Sequence, residues 1–223
     1  MKWRTSFLTI GLVAGAIYAG AAIVGAQDNG YDHQHANGEA HANGHEEHAE
    51  MTPEQQAEMA EWAKIAAPGD AHKHLEYFVG TWNTKTKIYM GGPGSEPMES
   101  DGQSDMKWVL GGRFIMDEHK GTMMGMPYEG IGMTGYDNFR NLYISSWSSN
   151  MGTNMLLMAG SRHPKTGVFT YYGEMDEPNL KVIGRTVKYV TRIVDADHFT
   201  FEIIDLHAGD DYKVIELSYE RVK

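Results

Sequence analysis

The residues best able to do chemistry fall into two groups. The first is a histidine set, His33, His35, His41, His45 and His48, scattered among Asn, Gly, Asp and Glu. Neutral imidazoles and carboxylates are ligands for zinc or copper, so this segment could handle a metal. Its spacing matches no rigid site, however. With no hydrophobic period either, the stretch reads first as solvated chain. The second group is aromatic: Tyr128, Tyr136, Trp147, Tyr171 and Tyr172, with Arg113 and Glu174. Rings with a few hydrogen-bonding groups suit a cavity for a small, partly apolar ligand. They also suit ordinary strands, which favour aromatics.

Other motifs carry less. Gly130-Ile131-Gly132-Met133-Thr134-Gly135 has the G-x-G-x-x-G form. A dinucleotide site needs that motif between a strand and a helix, and here a turn follows at Tyr136-Asp137-Asn138. It reads instead as a strand thinned by Gly, where a barrel bends or another chain segment approaches closely. Met124 and Met126 could share a Cu(I) ion, but Met more often fills adaptable apolar space. His119, His163, His198 and His207 fall near predicted strand ends and loops, and read as surface or hydrogen-bonded histidines. Glu174 and Asp176 share a strand face beside a turn, which reads as a solvated end. Neither a G-x-S-x-G elbow nor an H-E-x-x-H helix occurs.

Composition narrows the classes further. The 223 residues hold 19 Lys plus Arg, 30 Asp plus Glu, 11 His and no Cys, for a net charge of −11. The absence of Cys excludes a disulfide scaffold, a thiol nucleophile and thiolate metal sites. The acidic balance argues against a nucleic-acid partner. Most of that excess acid lies in residues 27–78, and the remainder of the chain is nearly balanced.

The elements that must position these groups follow in order. Lys2 and Arg4, the apolar run from Phe7 to Val24, and Val24-Gly25-Ala26 predict a signal peptide over residues 1–26. The chain is then exported, periplasmic or secreted, and meets a membrane only if that segment stays uncleaved. Residues 27–50 are predicted disordered. Short helices are expected over 51–78, starting at Thr52-Pro53-Glu54 and again near Asp70, with His74, Leu75 and Phe78 on the buried side of the second.

From residue 79 the pattern is all-β. Strands are predicted at Thr81–Met90, Gln103–Leu110, Arg113–Lys120, Tyr128–Tyr136, Leu142–Ser149, Asn154–Ser161, Val168–Met175, Val182–Val194, His198–Leu206 and Tyr212–Arg221. Their links are short and rich in turn residues, so antiparallel hairpins are expected throughout. About ten such strands suggest an up-and-down barrel, which removes exposed sheet edges. In the last strand Ile215, Leu217, Tyr219 and Arg221 share the face expected to point inward.

Gly80-Thr81-Trp82 resembles the Gly-x-Trp signature of lipocalins and related calycins. That resemblance implies that Trp82 closes the barrel base against an Arg from a late strand, for which Arg221 is the match. More specifically, Leu110-Gly111-Gly112-Arg113-Phe114, Pro127-Tyr128-Glu129-Gly130, Gly135-Tyr136-Asp137-Asn138, Trp147 with Met151-Gly152-Thr153, and the C-terminal Lys213–Arg221 stretch resemble a bacterial lipocalin-like family, domain of unknown function 1579. The resemblance spans roughly residues 70–223. It implies a barrel and transfers no catalytic residue. Calycin relatives include haem-binding barrels, so a single His ligand among the four named above is conceivable.

The expectation is therefore an exported barrel, monomeric or weakly oligomeric. It would bind a small-molecule ligand through Arg113, Tyr128, Tyr136, Trp147, Tyr171, Tyr172 and Glu174, with no required cofactor. One alternative is an enzyme acting on a small hydrophobic substrate in the same lumen. The other is zinc or copper handling by the histidine segment.

Overall fold

Alternating strands that bury one face leave unpaired edges, and closing the sheet on itself removes them. That is the outcome in the computed structural model, which describes residues 51–92, 94–177 and 181–223. The strands are β1 (Gly80–Ile88), β2 (Met98–Val109), β3 (Phe114–Met123), β4 (Met126–Asp137), β5 (Leu142–Ser149), β6 (Leu156–Arg162), β7 (Phe169–Glu177), β8 (Val182–Ile193), β9 (His198–Asp205) and β10 (Lys213–Arg221). Each pairs antiparallel with its sequence neighbours, and β10 closes onto β1. The up-and-down barrel read from the sequence is the observed fold. The expected signal peptide and the histidines His33, His35, His41, His45 and His48 lie outside the described residues.

The longest extensions beyond a predicted strand end are in β2 and β3. β2 begins at Met98 rather than Gln103, and β3 continues to Met123 rather than ending at Lys120. The polar run Glu99-Ser100-Asp101-Gly102 looks like a turn, yet it pairs residue by residue with β1, from Ile88↔Met98 to Thr84↔Gly102. Tertiary pairing overrides the weak local propensity of Gly.

The helical segment 51–78 holds three pieces. Helix α1 (Pro53–Ala66) opens with a capping box. Gln55 N–H donates to Thr52 Oγ1 at 3.2 Å, and Thr52 N–H donates to Gln55 Oε1 at 2.9 Å. Helix α2 (Asp70–Lys73) and a 3-10 turn (Glu76–Phe78) follow. Here the buried histidine is His72, not His74. The tight winding places His72, Leu75 and Phe78 three apart on one side, and that side faces the barrel.

Those residues form the floor. Trp82 is fully buried and donates from Nε1 to the Phe78 carbonyl at 2.7 Å. Trp82 and Arg221 are direct cross-strand partners. The Arg221 guanidinium lies 4.0 Å over the Trp82 ring. It also donates to the Val79 carbonyl at 2.8 Å and the Tyr77 carbonyl at 2.7 Å. One side chain thus satisfies two carbonyls of the helical segment and covers the barrel end. Phe199 adds edge contacts to Trp82 at 4.8 Å and Phe78 at 5.1 Å.

A polar lumen wall as the candidate functional site

Above that floor the barrel encloses a cavity of about 200 Å³. This is below the roughly 300–1,000 Å³ of drug-sized pockets, so an occupant must be small. Most of the lining is aromatic or aliphatic, including Tyr171, Tyr189, Phe201, Ile203, Leu217 and Tyr219. Hydroxyls of Thr86, Ser145, Ser146 and Thr191 are spread around the lining, while its ionisable Asp and His, Asp117 and His119, both lie on β3.

The wall at β3 is built by strand alternation. Ile115, Asp117 and His119 share the inward face of β3. Met106 and Gly132 flank Asp117 in register, and Ser104 and Gly130 flank His119. The Ser104 hydroxyl is fully buried and bonded to His119 Nδ1 at 3.0 Å. Ser104 also lies near enough to the Asp117 carboxylate to favour its ionised form, so the three make one polar cluster.

The charges of this cluster are tuned by burial. Loss of water pushes the Asp117 acid up to about 7, the carboxylates of Asp105 and Glu118 add to the rise, and the Ser104 hydrogen bond opposes it. Burial holds the His119 imidazole below its ordinary value, so it is neutral near pH 7. Asp117 Oδ1 is sealed from solvent and lacks a hydrogen-bond partner among the described residues. The remaining exposure of Asp117 opens on the lumen. On β8, across the barrel in strand order, the Tyr189 hydroxyl is likewise buried without a partner.

Glycines make room for the rings on this wall. A Cβ on Gly102 would stand 2.8 Å from His119 Nε2, and one on Gly121 would stand 3.2 Å from it. A Cβ on Gly132 would lie 2.8 Å from Trp147 Cε3, and one on Gly130 would fall inside the same ring. The G-x-G-x-x-G stretch is thus a groove in β4 that lets the Trp147 indole lie along the wall. There it donates from Nε1 to the Tyr128 hydroxyl at 2.9 Å. His119 packs edge-on to Tyr128 at 5.6 Å and Trp147 at 6.3 Å. Gly130→Ala should lift Trp147 into the lumen and cost about 1–3 kcal/mol by overpacking. Denaturant melts would measure the loss, and Trp fluorescence would report the moved ring.

The predicted ligand set divides accordingly. Tyr128, Trp147 and Tyr171 line the lumen. Tyr136 sits in the floor, packed against Tyr143 at 4.8 Å and His72 at 5.9 Å. Tyr172 and Glu174 point outward, Tyr172 with 51% exposure. Successive strand residues alternate faces, so Tyr171 and Tyr172 cannot both enter the lumen. Arg113 lies in the β2–β3 hairpin and donates to the Ala66 and Leu110 carbonyls at 3.1 and 3.3 Å. Its work is to satisfy these two backbone carbonyls. Sequence pattern alone does not distinguish Asp117, and it places His119 near a strand end, whereas in the structure both lie within β3 and line the lumen. The signal was their alternation with Ile115, masked by Phe114 and Met116 on the opposite face. Among the described residues no three His, Asp or Glu side chains gather into a metal-binding group.

Comparisons with known proteins address the fold and not the chemistry. A family described as "Protein of unknown function (DUF1579)" matches residues 67–221. The crystal structure of Rv2717c from M. tuberculosis is similar at 14% identity and a TM-score of 0.51, over 70% of this chain and 100% of that one. No curated protein matches.

Proposed function

For a chain that belongs to the DUF1579 family, whose description assigns no activity, we infer a function from the lumen itself: a lipocalin-like carrier or sensor of one small, largely apolar molecule. The observation that carries this reading is a mostly apolar cavity with a few polar anchors, among them Asp117 and His119 of β3 beside Tyr128. Pockets of this make-up gain affinity from apolar burial and orientation from sparse polar anchors. The signal-like segment at residues 1–26 supports placing the carrier outside the cytoplasm.

A neutral aromatic alcohol such as naphthylmethanol tests the reading. Saturable binding should shift the NMR resonance of the Trp147 indole N–H, which borders the cavity. An unmoved resonance at saturating probe rejects a ligand lumen.

One observation favours a second reading, an enzyme acting on a small hydrophobic substrate. An acid near 7 linked to a neutral imidazole could exchange a proton with a bound substrate. The Ser104 hydroxyl is fully buried and bonded to His119, so it is no candidate nucleophile. Turnover of a bound probe, lost in His119→Gln while binding persists, would favour catalysis over carriage.

A further inference from the structure

We propose, resting on the lumen reading, that the barrel selects a small apolar amine in its ammonium form, held beside Asp117 among the lumen rings, and turns away carboxylates. The first argument is the charge inventory. Asp117 is the acid lining the cavity, and neither Lys nor Arg lines it. The inward-facing Arg185 is engaged 3.0 Å from Asp205. An anionic ligand would meet a like charge with no cation to offset it, whereas an ammonium supplies the missing counter-charge.

The second argument is proton accounting. The single Ser104 hydroxyl hydrogen, turned toward an ionised Asp117, favours that charge. Ser104 Oγ must then accept from His119 Nδ1–H, because it has only one hydrogen to give. That tautomer leaves His119 Nε2 bare, in the space kept open by Gly102 and Gly121. The polar wall therefore presents the Asp117 carboxylate as an acceptor, and a ligand that donates hydrogen bonds complements it. The third argument is the rings. Trp147, Tyr128, Tyr171 and Tyr219 line the same cavity, and their π-faces attract a desolvated cation.

The groups facing Asp117 fix the pH dependence. Tyr128 faces it from β4 and Tyr219 from β10, Asp105 lies on the neighbouring β2, and Glu118 and His119 sit beside it on β3 itself. Below neutrality Asp117 takes up its proton and the counter-charge disappears. At still lower pH His119 becomes cationic, which acts in the same direction. Ammonium binding must therefore strengthen as pH rises through neutrality.

Three probes on one naphthalene body make the test: naphthylmethylammonium, naphthylmethanol and naphthoate. At about pH 8 the wild type should bind the ammonium roughly ten- to hundredfold more tightly than the alcohol, and naphthoate not measurably. The ratio should fall toward one near pH 5. Asp117→Asn should bring it to about one at every pH. Ser104→Ala removes the donor that favours the ionised acid, so it should move the rise in preference to higher pH. An alcohol bound as tightly as the ammonium at about pH 8 overturns the inference and leaves the lumen reading standing. So does an ammonium preference that survives Asp117→Asn. If no probe binds, the lumen reading falls and the inference falls with it.

Discussion

Trp82→Ala should destabilise the barrel by about 3–5 kcal/mol, the range for deleting a fully buried Trp. The loss has three parts. The indole leaves a cavity between Phe78 and Phe199, the Phe78 carbonyl loses its donor, and Arg221 loses the ring beneath it. For a domain of this size the thermal midpoint should drop on the order of 10 °C. Arg221→Ala acts on the same floor, since it strips donors from the Tyr77 and Val79 carbonyls. The double variant should therefore lose less than the sum of the two singles. Chemical denaturation of the three variants measures this cycle. Strict additivity would mean that the ring and the guanidinium do not act as a unit.

Asp117→Asn should stabilise the ligand-free protein at alkaline pH. In the unfolded chain Asp117 titrates at its ordinary value of 3.8, and in the fold at about 7. Between those values the folded state holds a proton that the unfolded state has released. Stability therefore falls as pH rises from about 4 to about 7 and is flat above. Three pH units correspond to at most about 4 kcal/mol, lessened by water in the lumen. Asn carries no charge and escapes this loss. The two proteins should melt alike near pH 4, and the variant should gain an increasing margin up to pH 8. A constant margin across that range would mean that Asp117 is not titrating. The same destabilised carboxylate is what a bound ammonium would relieve, so the wild type should regain stability at pH 8 on adding the amine probe.

Much of the architecture was legible because it is local. Alternation and turn residues marked every strand, and the Gly-Thr-Trp start with a late Arg marked the floor. The histidine inside the lumen was not legible, and the reason lies in particular residues. Gly102 and Gly121 look like strand breakers, so they shortened β2 and β3 and pushed His119 toward a predicted strand end. In the fold those glycines are retained within the strands, and their missing side chains are the space His119 fills. Gly130 and Gly132 do the same for Trp147. A glycine's effect on its own backbone is visible in sequence, but the neighbour that uses the vacancy lies on another strand.

The ligand set divides along the same line. Tyr171 and Tyr172 cannot share a face, a consequence of strand geometry that sequence contains. Which of the two faces inward depends on how β7 registers against β6 and β8. By itself the sequence determined the number of strands, their antiparallel order and the closed barrel, because each follows from period-two alternation and short turns. Only the tertiary structure decided that Ser104 meets His119, and that Asp117 and His119 face a mostly apolar lumen. That outcome depends on inter-strand register, and a shift of one residue would turn every one of these side chains to the outside.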